Sequence, residues 1–386
     1  MPFRLADRVN RIRPFHVMEL LRRAHELEAA GGDVVHMEIG EPDFPTAKPV
    51  VEAGRQALTA GRTHYLPAAG LPALREAIAR HYADDYGAHV PPERIFVTPG
   101  ASGALTLAMA LVAGPGESVL LPDPGYPCNR NFVELVNAVP RLVAVGPEDD
   151  FQLTPEAAEA AMDESTAGML VGSPSNPTGT VASAGALSGM AELADRHGLA
   201  LMVDEIYHGL YYGDRPASAS VHAPQSLIVN SFSKYFGMTG WRLGWLVVPP
   251  GLEGAAEKLI QNLYINASTP AQYAALACFT PQAREVFADR REAFRQRRDF
   301  LLPALREIGF RIPGEPAGAF YLYADVSALA DDSEALARAL LEECAVAATP
   351  GLDFEQSAPE RHLRFAYTTS LERLETGVER IAQYLR

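Results

Sequence analysis

The pattern of apolar positions divides the chain into two kinds of segment. From about Glu93 to Pro249, short β-rich runs alternate with helical patterns. Arg94–Thr98, Ser118–Leu121, Arg141–Val145, Ala167–Val171, Ala200–Val203, Leu227–Asn230 and Leu243–Val248 read as strands. Several are unbroken apolar runs rather than alternating ones, which predicts strands covered on both faces. Ala101–Ala113 and Ala182–His197 read as helices between them. The whole predicts an α/β fold with a mainly parallel sheet covered by helices. The C-terminal third reads differently. A long charged helix over Ala283–Ile308, with Pro303 inside it, leads to a Phe310–Ile312 strand, an Ala319–Tyr323 segment, a helix over Ser333–Cys344 and a His362–Ala366 strand. This predicts a large domain over 46–284 and a smaller α+β domain built from 1–45 and 285–386.

Composition narrows the function classes. The chain has 386 residues and a formal net charge of −15, which argues against a nucleic-acid binder or an anionic-membrane binder, since either needs a basic face. Any anionic ligand must therefore meet cations concentrated at its own site. The longest apolar stretch, Ala104–Ala113, is interrupted by Thr106 and is too short to span a bilayer. Arg4, Arg8, Arg11 and Arg13 are followed by no apolar segment of the kind a signal peptide carries. Cys128, Cys278 and Cys344 are far apart, odd in number and without metal-like spacing. Together these features read as a cytoplasmic protein with reduced thiols.

In open α/β sheets, ligands bind where strands end and loops begin. Four such loops stand out, and each also has an ordinary structural explanation. Thr98-Pro99-Gly100-Ala101-Ser102-Gly103-Ala104 offers free N–H groups at a helix start and a hydroxyl, a phosphate cradle or simply a Ser-capped helix. Ser173-Pro174-Ser175-Asn176-Pro177-Thr178-Gly179 is a rigid turn that also fixes the direction of one amide. Leu201–Tyr207 places Asp204 at the end of an apolar strand, where a carboxylate caps a helix or serves a buried cation. Tyr207 follows three residues on. Ser231–Arg242 wraps Lys234 in serines, aromatics and glycines, with an arginine eight residues on. A loop lysine is ordinarily solvated, but this setting suits Schiff-base chemistry beside an anion.

Taken in order, Asn176-Pro-x-Gly, Asp204-x-x-Tyr207, Ser231-x-Ser-Lys234 and Arg242 resemble the class I/II aminotransferases among the fold-type-I pyridoxal-phosphate enzymes. The resemblance extends over nearly the whole chain. It includes Gly40-Glu41-Pro42-Asp43-Phe44, Tyr65 with Gly70, Asp123-Pro124-Gly125-Tyr126-Pro127, Gly318-Ala319-Phe320-Tyr321 and Arg364. It implies pyridoxal 5'-phosphate as cofactor, carried by Lys234 as a Schiff base, with Lys234 also moving the substrate α-proton. Asp204 would pair with the pyridine nitrogen and keep it protonated, making the ring an electron sink. Asn176 and Tyr207 would hydrogen-bond the ring oxygen, and Tyr126 would stack on the ring face. The phosphate would sit on Ala101 and Ser102 with Ser231, Ser233 and Arg242. Arg364, helped by Gly40 and with Asn176 nearby, would take the substrate carboxylate. Tyr65 would reach the phosphate of a neighbouring subunit, which implies a homodimer.

The implied reaction moves an amino group between an amino acid and a 2-oxo acid such as 2-oxoglutarate or pyruvate. Related folds also run C–S β-lyase, decarboxylase and cyclopropane-forming reactions, and chemistry has to be argued from the site. A non-catalytic ligand sensor on this scaffold is disfavoured by the lack of any basic segment. Some bacterial aspartate aminotransferases that the chain resembles carry a lysine at the position matching Ser102. Others use a partner-subunit arginine in the segment matching Asn262–Thr269, where this chain has Tyr264 and no arginine. A buried carboxylate without a cation is costly, so a neutral or apolar donor is expected, with alanine and larger apolar or aromatic residues as candidates. Arg13 or Arg22 remain possible partners for an acidic acceptor.

Overall fold

A computed structural model describes residues 3–386. Twelve strands occur in it: β1 Val35–His36, β2 Ile95–Thr98, β3 Ser118–Asp123, β4 Val139–Ala144, β5 Thr166–Gly172, β6 Ala200–Asp204, β7 Leu227–Ser231, β8 Gly244–Val247, β9 Tyr321–Asp325, β10 Val346–Ala347, β11 Thr349–Pro350 and β12 His362–Ala366. Seven of them form one sheet in the order β2-β8-β7-β6-β5-β3-β4. The pairs from β4 across to β7 are parallel, while β8 runs antiparallel to both β7 and β2. The fold is therefore α/β, with one strand reversed.

The unbroken apolar runs are explained by period-two packing against two separate cores. Met169, Val171, Leu201, Val203, Ile228, Trp245 and Val247 face one layer. Their neighbours Leu170, Met202, Val229 and Leu246 face the other, where the helix Gly100–Val112 contributes Ala104, Leu105, Leu107 and Ala108. Each strand is thus hydrophobic at every position because each face meets helices. Strand β4 closes the sheet with a half-exposed pattern and carries Pro140, as an edge position permits.

A third core gathers the rest around an antiparallel sheet, β11-β12-β9, with the helices Pro281–Glu307, Ser333–Cys344 and Leu371–Tyr384. Strand β1 from the N-terminal segment pairs in parallel with β10. The long helix continues through Pro303 at the cost of the one i→i−4 hydrogen bond its missing N–H would make. The Phe310–Ile312 strand is corrected by the structure: Arg311 makes a single bridge to Asp325 and no ladder forms. Gly309, at φ +107°, turns the chain just before it, and Pro313 has no N–H to extend the pairing. Pairing for the Ala319–Tyr323 segment begins two residues later, at Tyr321, because Ala319 sits at φ +57°.

Strand direction positions the site. The C-terminal ends of β2, β3, β5, β6 and β7 all lie on one edge of the large sheet. The reversal of β8 brings its beginning to that same edge, since Gly244 pairs with both Ser231 and Thr98.

Candidate active site

A cavity of about 270 Å³ opens at this edge, lined on the other side by residues of the third core and the N-terminal segment. Strand β2 runs into Ala101 and Ser102, β3 into Tyr126, and β5 into Asn176. Strand β6 ends on Asp204 and leads to Tyr207, and β7 leads to Ser233 and Lys234. Arg242 immediately precedes β8. All of these line the cavity, as do Gly40 and Arg364. Ser231 stands just behind, fully buried, donating to Ser233 Oγ at 2.9 Å and to the Leu243 carbonyl at 3.1 Å. Tyr65, by contrast, lies away from the cavity lining. It is 79% exposed on the surface.

One end of the cavity is built for an anion. The helix Gly100–Val112 begins there with its unpaired N–H groups and positive dipole end. Gly100 lies against the Arg242 guanidinium, 2.9 Å from where a Cβ would sit. A Cβ on Gly244 would meet backbone of Asn230, Gly100 and Ala101 at 2.7–2.9 Å. Glycine is required at both positions so that strand ends and arginine can close around a small ligand. Ser102 and Ser233 add hydroxyls to this end.

Farther in lie a carboxylate and an amine. Asp204 accepts one hydrogen bond, from the Ile206 N–H at 3.0 Å, and has no cation within ion-pair distance among the described residues. Burial pushes its carboxyl up to about 6, against the backbone hydrogen bond and the Lys234 charge. Lys234 Nζ donates to the Gly40 carbonyl at 2.6 Å. Burial lowers its amine to about 8; Glu41 opposes this, and the Arg364 and Arg242 charges add to it. An amine in this range is neutral at slightly alkaline pH and therefore a competent nucleophile.

Arg364 completes the site. Its guanidinium is buried between two rings, 4.3 Å from the Tyr321 centroid and 4.6 Å from that of Phe354. Nη1 donates to Asn176 Oδ1 at 3.0 Å, Nη2 donates to the Glu38 carbonyl, and Nε has no partner. Arg364 lines the cavity, where a guanidinium can receive a carboxylate. Two residues here escaped sequence reasoning. Tyr321 was visible within a Gly-Ala-Phe-Tyr motif but had no role attached. Phe354 lies in an irregular loop and gave no signal at all.

The chain belongs to the aminotransferase class I and II family, whose pattern matches residues 32–381. It is 38% identical to an aspartate/prephenate aminotransferase of Thermus thermophilus over 99% of this chain and 98% of that one. It is 36% identical to a valine–pyruvate aminotransferase of Mycobacterium tuberculosis over 96% of both. Its fold superposes on the crystal structure of an aminotransferase from M. tuberculosis with a TM-score of 0.96, at 36% identity and 99% coverage of each chain. The protein is an aminotransferase, and enzymes of this family use pyridoxal 5'-phosphate. The residues present fit that group. An unpaired buried carboxylate suits the ring nitrogen, a glycine-walled helix start with Arg242 suits the phosphate, and a buried amine of lowered basicity suits the aldehyde.

The two titrating groups make a stability prediction for the cofactor-free protein. The Asp204 carboxyl titrates near 6 in the folded chain against 3.8 for an ordinary aspartate. Its ionised form therefore costs stability at all pH values above about 6, and the cost fades as pH falls from 6 towards 4. Asp204→Asn, which keeps the acceptor for Ile206, should make the apoprotein more stable at pH 8 by on the order of 1–3 kcal/mol, with little gain at pH 4. Urea denaturation at both pH values checks this. A variant less stable than the parent at pH 8 would contradict the description of Asp204.

Proposed function

We propose that this aminotransferase prefers a neutral or apolar amino acid as donor and passes the amino group to a small 2-oxo acid. The observation that carries the substrate class is the lining of the cavity beyond Arg364. Phe15, Val17, Met18, Ile39 and Leu105 line it with apolar surface, and Glu41 adds an acidic group. The cations that line the cavity are Lys234, Arg242 and Arg364. Each has a use already, so a distal carboxylate would be desolvated without a partner. Neither Arg13 nor Arg22 lines the cavity, and Arg22 pairs with Glu26 on its own helix. Pyruvate needs no further cation as acceptor; 2-oxoglutarate would need Arg13 to move in. The valine–pyruvate relative has substrates of this class in its name, while the Thermus relative shows that the family also serves aspartate.

In this reading the cofactor, when bound, supplies an electron sink for the negative charge that develops on the substrate α-carbon. The protein's residues do the rest. Arg364 would hold the substrate carboxylate, with Asn176 and the Glu38 carbonyl fixing its guanidinium. Lys234 Nζ would carry the cofactor, and its amine would serve as the base that moves the proton at the substrate α-carbon. Its lowered basicity keeps the neutral amine accessible near neutral pH. Asp204, remaining ionised, would keep a proton on the ring nitrogen. Tyr207 and Asn176 would donate to the ring oxygen, and Tyr126 would cover the ring. Ala101, Ser102, Ser231, Ser233 and Arg242 anchor the phosphate. Each charge-assisted hydrogen bond of this kind contributes roughly 1.5–3 kcal/mol.

We also propose a homodimer. Tyr65 is exposed together with Leu263 at 50% and Ile265 at 46%. Their segments are tied to one another, as Thr269 Oγ1 donates to the His64 carbonyl and Asn266 Oδ1 accepts from the Leu66 N–H. An apolar surface of this kind suits burial against a second copy. The proposed division into domains, 46–284 against 1–45 with 285–386, is supported by the third core, which draws mainly on Val35, Met37 and residues from Phe294 onward, although Tyr207, Leu210 and Tyr212 also pack into it. No helix among the described residues is long and apolar enough to cross a membrane. The three unpaired cysteines suit a reducing cytoplasm.

The substrate class is tested by single-turnover half-reactions over a panel of amino acids. Alanine, leucine or phenylalanine should exceed aspartate in kcat/KM by about tenfold or more, a difference of roughly 1.4 kcal/mol. A clear preference for aspartate would contradict the apolar-lining argument. For the dimer, sedimentation should give twice the chain mass, and Tyr65→Phe should weaken cofactor retention without changing that mass. A fully active monomer would rule the shared site out.

A further inference from the structure

Tyr321 has contacts in two parts of the site at once. Its hydroxyl lies 2.9 Å from that of Tyr207, with the two rings edge-to-face at 5.7 Å between centroids. The face of its ring lies 4.3 Å from the Arg364 guanidinium carbon. The backbone of Gly40, whose carbonyl accepts from Lys234, approaches so closely that any Cβ there would collide with the Tyr321 hydroxyl. Tyr321 itself is 1% exposed and lies at the start of β9, directly opposite Ala366 on β12. Its position is fixed by the sheet and does not depend on a mobile loop.

We propose that Tyr321 is a positioning residue that acts through both neighbours: its hydroxyl donates to Tyr207 Oη, and its ring holds the Arg364 guanidinium in plane for the substrate carboxylate. The proposal rests on the reading of Tyr207 as donor to the cofactor ring oxygen and of Arg364 as the carboxylate site. The hydrogen-bond direction follows from that reading. A phenol has one proton. If Tyr207 gives its own to the ring oxygen, the bond between the two hydroxyls must be donated by Tyr321. A donor that itself accepts a hydrogen bond is polarised and donates more strongly, more so in a site closed to water. The ring has a separate effect. The Phe354 ring lies 4.6 Å from the same guanidinium carbon, so two aromatic contacts hold the group. A desolvated arginine–aromatic contact stabilises such an arrangement by more than an exposed one does.

Two substitutions separate the two effects. Tyr321→Phe keeps the ring and removes the hydroxyl; Tyr321→Leu removes both, with Tyr321→Met as the substitute if leucine does not fold. In the holoenzyme the first readout is the pH at which the bound cofactor's absorption converts between its two protonation forms. The second is the Kd of 3-phenylpropionate, an unreactive carboxylate, by calorimetry. Tyr321→Phe should raise the spectroscopic pKa by about 0.5–1 unit, a three- to tenfold change matching one hydrogen bond, and leave the Kd within about twofold. Tyr321→Leu should raise the pKa equally and weaken 3-phenylpropionate about five- to thirtyfold. Combined with Tyr207→Phe, the Tyr321→Phe change in pKa should vanish, since it acts through that hydroxyl. Two control variants test the underlying assignments. If Tyr207→Phe alone leaves the pKa unmoved, or Arg364→Lys leaves the Kd unmoved, the reading of the site fails and the proposal with it. If both controls respond while Tyr321→Phe leaves the pKa unchanged, or Tyr321→Leu leaves the Kd unchanged, the proposal alone is overturned.

Discussion

A carboxylate and an amine share one cavity here without neutralising each other, and much of the architecture serves to keep them so. Asp204 ends a strand that is apolar on both faces, which places its charge where water is scarce and shifts its titration upward. Lys234 lies in the loop after the neighbouring strand and titrates downward for the same reason. Left alone, each is a destabilising element, and together they would be expected to collapse into an ion pair. The fold prevents that by giving each a separate backbone partner, the Ile206 N–H and the Gly40 carbonyl. What remains is a cavity holding a carboxylate and an amine that are not paired with each other.

The sheet supplies the distances. Parallel strands deliver their loops to one edge, which gathers Asn176, Asp204 and Lys234 from β5, β6 and β7 without any long-range steering. The reversed strand β8 is the device that adds Arg242, because an antiparallel neighbour begins where the others end. Arg242 itself sits at φ +54°, outside ordinary backbone space, in the turn that feeds that strand. The opposite wall comes from the third core, where Arg364 is clamped between Tyr321 and Phe354. Tyr321, in that same core, touches both Tyr207 and Arg364.

Much of this was legible in the sequence, for identifiable reasons. Strands buried on both faces leave continuous apolar runs, so β5 to β8 were placed within a residue or two. Loop chemistry at their ends was equally visible because serine, glycine and a lysine stand out against apolar flanks. The Phe310–Ile312 segment was misread because composition alone does not reveal that Gly309 and Pro313 confine pairing to one residue. The clamp on Arg364 was invisible because Phe354 reaches it by tertiary packing from a loop without periodicity. The support of Arg364 by the Glu38 carbonyl was equally hidden, since a backbone acceptor leaves no trace in residue type.

The central claim is that Lys234, lowered in basicity by burial and held at Gly40, carries the cofactor. Borohydride reduction of the holoenzyme, followed by proteolysis and mass mapping, tests it most directly. The account predicts that the cofactor-derived mass appears on Lys234 and on no other lysine, and that Lys234→Ala protein takes up no label. A stable label on Lys48 or Lys258 in the unmodified chain, with Lys234 free, would contradict it.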